Sequence, residues 1–198
     1  MPEIALFCED SFHERFVVSM IERFARERSV YVAVRKYSAR GGLPKVREEF
    51  RDFLRDLDRN RRRIPDLGIV VTDANCHGLH KRRSQLDGAF KLYPDFRSLF
   101  EFAIPDPHVE RWMLADPLAF QSVFGRGCTL PAIKCRKDEY KKLLRQEIQK
   151  SGIDPALGGE EYAEDIVNAM DLGYAEVQEP SLGLFLKALK SRFNSWGT

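Results

Sequence analysis

The sequence predicts an α/β protein: a mostly parallel sheet of four strands flanked by helices, followed by a helical C-terminal part. Three observations carry this expectation. Short apolar runs alternate with stretches of helical periodicity through the first half of the chain. Two of those runs, residues 4–7 and 69–71, stop just short of the acidic residues Glu9 and Asp73. Beyond Gly125 no convincing strand pattern remains.

Residues 4–8 read as the first strand. Residues 13–28 read as a helix, with Phe16, Val17, Met20, Ile21 and Phe24 on one face. Ser11, three residues before Glu14, has capping-box spacing. The β-branched stretch 30–34 reads as the second strand. A glycine-containing loop, 38–44, leads to a helix over 45–60, with Val46, Phe50, Phe53, Leu54 and Leu57 inward. Residues 67–72 form the third strand and 79–86 a short polar helix. Residues 99–104 read as the fourth strand, and 108–114 start a helix that Asp116-Pro117 restarts through Phe124. Helices are expected over 139–150, 160–170 and 181–193, as a cover on the sheet. The expected division is therefore 1–125 for the α/β domain and 126–198 for a helical extension packed on it.

A chain of 198 residues suits one domain, or one domain with an appendage, and 43% hydrophobic residues suffice for a core. No apolar run approaches the roughly 20 residues that span a bilayer. The N-terminus lacks a basic stretch followed by an apolar signal core. The expectation is a cytoplasmic protein without membrane association. A net charge of +2 creates no global field that demands a nucleic-acid partner. Basic clusters are local: Arg59 with Arg61, Arg62 and Arg63; Lys81-Arg82-Arg83; and Lys141-Lys142. Cys8, Cys76, Cys128 and Cys135 lack paired short spacing and read as free thiols.

The stretch 67–75, LGIVVTDAN, is the most informative. In an open parallel sheet, ligands sit beyond the carboxyl ends of the strands. Asp73 and Asn75 would stand at such an end as hard oxygen donors for a divalent cation, with Glu9 at the end of the first strand. The plainer readings are a helix-dipole partner for Glu9 and a turn residue for Asp73. Gly41-Gly42, before the second helix, offer free N–H groups to a phosphate, with Arg40 and Lys45 adding charge; a simple glycine turn is the alternative. Cys76, His77 and His80 lack the spacing of a zinc site. His77 or His80 as a proton carrier beside the metal site is the better reading. Lys81, Arg82 and Arg83 follow that strand closely and are candidates for backbone contact with nucleic acid, whereas 61–63 reads as a solvated helix end. Trp112 falls on an apolar stripe and reads as core.

The order of these parts resembles the Toprim fold of primases, topoisomerases and OLD-type nucleases, and most closely the small stand-alone Toprim-like proteins of prokaryotes. Residues 8–17, CEDSFHERFV, resemble the start of those proteins. Residues 104–117, IPDPHVERWMLADP, resemble their Glu-x-Trp-x-Leu-Ala-Asp segment. Ala169-Met170-Asp171-Leu172 followed by Glu179-Pro180-Ser181 resembles their ending. The resemblance implies a nuclease that hydrolyses phosphodiester bonds with Mg2+ or Mn2+ held by Glu9, Asp73 and Asn75, with Glu110, or its rival Asp106, as a further catalytic acid. It also implies an effector of prokaryotic antiviral defence that works with an ATPase. Two positions depart from the pattern: Asp10 stands where a glycine is usual, and Asn75 stands where a second acid is usual. Asparagine brings an oxygen but no charge. A catalytically weakened module that docks on an ATPase or on nucleic acid is therefore the competing expectation.

Overall fold

A computed structural model describes residues 1–38, 41–130, 132 and 138–197, without the side chains of Ser38 and Arg62. Four strands, β1 (Glu3–Cys8), β2 (Ala33–Ser38), β3 (Leu67–Val71) and β4 (Phe100–Ala103), form one sheet in the order β2-β1-β3-β4. Every pairing is parallel. The described helices are α1 (Ser11–Glu27), α2 (Gly42–Arg59), α3 (Leu79–Asp87), α4 (Val109–Met113), α5 (Pro117–Phe124), α6 (Glu139–Gln149), α7 (Ala163–Ala169), α8 (Leu172–Gln178) and α9 (Pro180–Trp196). This is a Rossmann-like α/β arrangement with a helical C-terminal part. The chain runs outward from β1 to β2, then crosses back to β3 and β4. The reversal of direction lies between β1 and β3, and ligands of open parallel sheets commonly bind at the carboxyl end of such a point.

Strand side chains alternate between faces, and the sequence assigns each to a different core. Ile4, Leu6, Cys8, Leu67, Ile69 and Val71 point into a core shared with α1 and the C-terminal helices. Ala5, Phe7, Val70, Phe100 and Phe102 point into a second core with α2 and α3. Because both faces are covered, the central strands are apolar throughout, as buried parallel strands require. Gly68 serves the second core in a different way. A Cβ at that position would lie 2.0 Å from the ring of Phe100, itself wedged against Phe50 at 5.1 Å and Phe90 at 5.4 Å between ring centres.

The C-terminal helices are tied down by polar residues from the segments that carried the resemblance. Asp116 caps α5 and also accepts from the backbone N–H of Asp171 at 2.7 Å. Buried Arg111 on α4 pairs with buried Glu179, which caps α9. The Trp112 indole donates to Ser181 Oγ at 2.8 Å, and Ser181 donates to Glu179 at 2.6 Å. Trp112 is fully buried, as expected of core.

Several expectations need correction. The second strand is not 30–34 but Ala33–Ser38. Val30 donates its N–H to Ala25 O and finishes α1, and Tyr31 is exposed. The cap of α1 is Asp10 rather than Ser11, whose hydroxyl turns to Glu160. The helix α8 was not foreseen. Cys8 and Cys128 are free and buried, but Cys76 is disulfide-bonded, against the expectation of four free thiols. Cys135 lies outside the described residues. No helix among the described residues is long and apolar enough to cross a membrane.

Replacing Gly68 by Ala forces the Phe100 ring out of its packing. The expected cost is about 1–3 kcal/mol, read as a lower urea midpoint; an unchanged midpoint would show that the aromatic cluster yields freely.

Candidate functional site

The carboxyl ends of β1 and β3 are neighbours, with Cys8 in register with Val71. Glu9 follows one and Asp73 the other. The structure thus brings these residues to the same edge of the sheet. Thr72 Oγ1 donates to Glu9 Oε2 at 2.6 Å and joins the two strand ends directly. Strand alternation sends their side chains to different faces. Glu9 follows the parity of Phe7 and turns toward α2, its Oε1 lying 3.6 Å from where a Cβ on Gly42 would be. The start of α2 therefore faces a carboxylate. Asp73 follows the parity of Val71 and turns toward α1.

There Asp73 meets two histidines. His13 Nε2 lies 2.9 Å from Oδ1, His108 Nδ1 lies 2.8 Å from Oδ2, and the N–H of Val109 donates to Oδ1 at 3.0 Å. His13 is buried, and its other ring nitrogen lies 2.7 Å from the Oδ1 of Asp10. A chain Asp10–His13–Asp73–His108 results. The two carboxylates flanking His13 call for a proton on each ring nitrogen. Burial pulls its pKa down, but the charge of Asp73 and the bonds to Asp10 and Asp73 outweigh it and hold the imidazole well above the ordinary value. The bond to Asp73 raises His108 as well, against burial. Burial would raise Asp73, yet the charge of His13 and the bonds to both histidines keep it low. Asp10 is likewise pushed up by burial but drawn down overall, to about 2, by His13. Nε2 of His108 makes no hydrogen bond to a described residue, and the side chain remains 19% exposed.

The loop beyond β3 explains how His108 reaches Asp73. The N–H of Thr72 donates to Ala103 O, that of Ala74 to Pro105 O and that of Asn75 to Pro107 O. The pairing with β4 thus continues past both strands and delivers residues 108–109 to the strand end. Asn75 lies in a left-handed turn at φ 51°, with its amide nitrogen 3.5 Å from the carbonyl of Asp73. Glu110 lies close enough to feel Asp73, His108 and His13; burial first, and then the charge of Asp73, raise its pKa. Asp106 is engaged elsewhere, accepting from the N–H of Leu79 at 3.2 Å.

Of the expected proton carriers, His77 does not join this cluster; it is exposed on a single turn after Asn75. His13 and His108 take that place, and sequence reasoning missed both. Of the expected nucleic-acid contacts, Arg82 is corrected: it is buried, donates Nε to Asp73 O at 2.8 Å, and sits near the charges of both Glu9 and Asp73. It supports the strand end from below. Lys81 and Arg83 are exposed on the same helix. Lys45 is exposed and paired with Glu48 at 3.0 Å. Arg40 lies outside the described residues.

The expected cation site was tested against these contacts. Both oxygens of Asp73 are occupied by donors, two of them imidazoles held toward the protonated state. Glu9 turns to the other face. Among the described residues no group of three or more His, Cys, Asp or Glu side chains is arranged to hold a metal ion. As arranged, Glu9, Asp73 and Asn75 do not fit a shared Mg2+ or Mn2+. What fold and contacts define is an α/β protein with an acid–histidine cluster at the switch point of its sheet. No family model, no curated protein and no solved structure matches the chain.

The protonated cluster has a pH signature. His13, with a folded-state pKa raised above about 6.5, contributes stability that is complete below that value and is lost as the pH climbs through the folded-state value. Asp10 and Asp73 contribute stability present above the ordinary carboxylate value and lost as the pH falls through the lowered one, about 2 for Asp10. The wild-type urea midpoint is therefore expected to fall as the pH rises above about 6.5, and His13→Gln to flatten that fall. Equal slopes in both proteins would remove the charge from His13.

Proposed function

We propose that the chain hydrolyses phosphodiester bonds of nucleic acid, as a Toprim-like nuclease, in the crevice between the ends of β1 and β3. The observation that carries this reading is the emergence of Glu9 and Asp73 from neighbouring parallel strands where the strand order reverses, with buried Arg82 bonded to the Asp73 carbonyl and near the charges of both. Ligands of open α/β sheets bind at that point.

The side chains suggest roles. Asp73 fixes His108 through Nδ1 and leaves Nε2 toward solvent, the arrangement by which a carboxylate orients an imidazole for proton transfer. Protonated His108 can hand its Nε2 proton to the leaving oxygen. Glu9 can take the proton of the attacking water. His13, charged and buried behind Asp73, offsets the negative charge of that carboxylate where a phosphate would approach. The Mg2+ or Mn2+ that the resemblance implies has no place in these steps, because the ligand set does not fit it.

A binding module that docks on nucleic acid or on an ATPase is the second reading. The fully engaged Asp73 carboxylate and the uncharged Asn75 favour it. An ATPase partner and a role in antiviral defence rest on the resemblance alone.

The test is cleavage of plasmid, single-stranded DNA and RNA, with Mg2+, with Mn2+ and with chelator. Loss of about 100-fold or more in rate is expected for His108→Gln, with comparable losses for Glu9→Gln and Asp73→Asn. Binding without cleavage under every condition would favour the module instead.

A further inference from the structure

A groove of about 710 Å3 runs between α2 and the turn that follows α3. One wall carries Arg47, Arg51 and Arg55, spaced four residues apart on a single helix face; the other is formed by Gly88–Tyr93. Arg55 pairs with Asp52 at 2.9 Å. Glu48, the other acid lining the groove, is held by Lys45. Arg47 and Arg51 make no hydrogen bond or ion pair with any described residue. Residues at this spacing on a helix are separated by about 6 Å along its axis. Leu43 and Pro44 line the groove at the start of α2, where Glu9 Oε1 lies 3.6 Å from the position a Cβ on Gly42 would take, and Arg47 lies near enough to Arg82 for its charge to be felt there. Leu92, 81% exposed, and Tyr93 give the far wall an apolar ledge.

We propose that Arg47, Arg51 and Arg55 form a phosphate track that leads a single strand of nucleic acid from the crevice along α2. Guanidinium groups in a row match successive backbone phosphates, and an apolar ledge opposite suits unstacked bases. The track rests on reading the crevice as a phosphodiester site and extends it by naming the path of the substrate.

The test measures binding by fluorescence anisotropy, with fluorescein-labelled 20-nucleotide DNA and RNA strands across a salt series in chelator. It compares wild type, the triple variant Arg47→Gln, Arg51→Gln and Arg55→Gln, and a control that removes three charges elsewhere (Arg126→Gln, Lys187→Gln, Lys190→Gln). The triple variant is expected to bind more weakly. Its slope of log K against log salt is expected to be shallower by about 2, at roughly 0.7 per phosphate contact. Thermal melts establish that each variant folds; should the triple variant not fold, Arg51→Gln alone carries the test, with a slope change of about 0.7. Unchanged slopes, or a loss equal to the control's, overturn the track. So does loss of binding to a labelled poly-glutamate peptide with nucleic-acid binding intact, which would assign the groove to an acidic protein segment. Cleavage that survives with unchanged slopes would sink the track and leave the crevice standing. Groove-dependent binding without cleavage would do the reverse.

Discussion

The carboxylate of Asp73 is the joint on which this end of the molecule depends. Its two oxygens collect donors from α1 and from the start of α4, and its backbone carbonyl takes the guanidinium of Arg82 from α3. Helices from both faces of the sheet are thereby fixed to one strand end. Hydrogen bonds to an ionised group contribute about 1.5–3 kcal/mol each, and this carboxylate is largely removed from water. An isolated charge there would be costly; two imidazoles held toward protonation supply the compensation. The same compensation occupies the lone pairs that a cation would need.

The placement of the site follows from topology as much as from side chains. The strand order reverses between β1 and β3, and the loop after β3 keeps pairing with the segment after β4. That continued pairing holds His108 and Glu110 beside Asp73 although they lie far along the chain. Glu9 is joined to the same edge through Thr72, but from the opposite face. The site is therefore two-sided: an acid–histidine cluster facing α1, and a carboxylate facing the glycine-led start of α2, from which the arginine groove departs.

Much of this was legible in the sequence. The apolar runs of β1, β3 and β4 and the stripes of α1 and α2 follow from burial on both faces of a parallel sheet. The second strand was misread because β-branched content drew attention to Val30, Val32 and Val34, whereas the edge position of the strand tolerates Arg35 and Lys36 within it. His13 could have been found: it continues the buried stripe of Phe16, Val17 and Met20 by one turn, and a polar residue on such a stripe needs a buried partner. Arg82 carries the same signal between Leu79 and Leu86. His108 gave no comparable signal, because its contact depends on how the loops after β3 and β4 pair. Asp116, Asp171, Glu179 and Ser181 drew notice through the resemblance, and in the fold they cap and anchor the C-terminal helices.

The most direct test of this account is an NMR titration of the histidine rings in wild type and in Asp73→Asn. If Asp73 is the charged hub, His13 and His108 titrate above the ordinary histidine value in wild type, and both values fall when the carboxylate becomes an amide. Imidazoles that titrate normally in wild type, or that do not respond to the substitution, would contradict it.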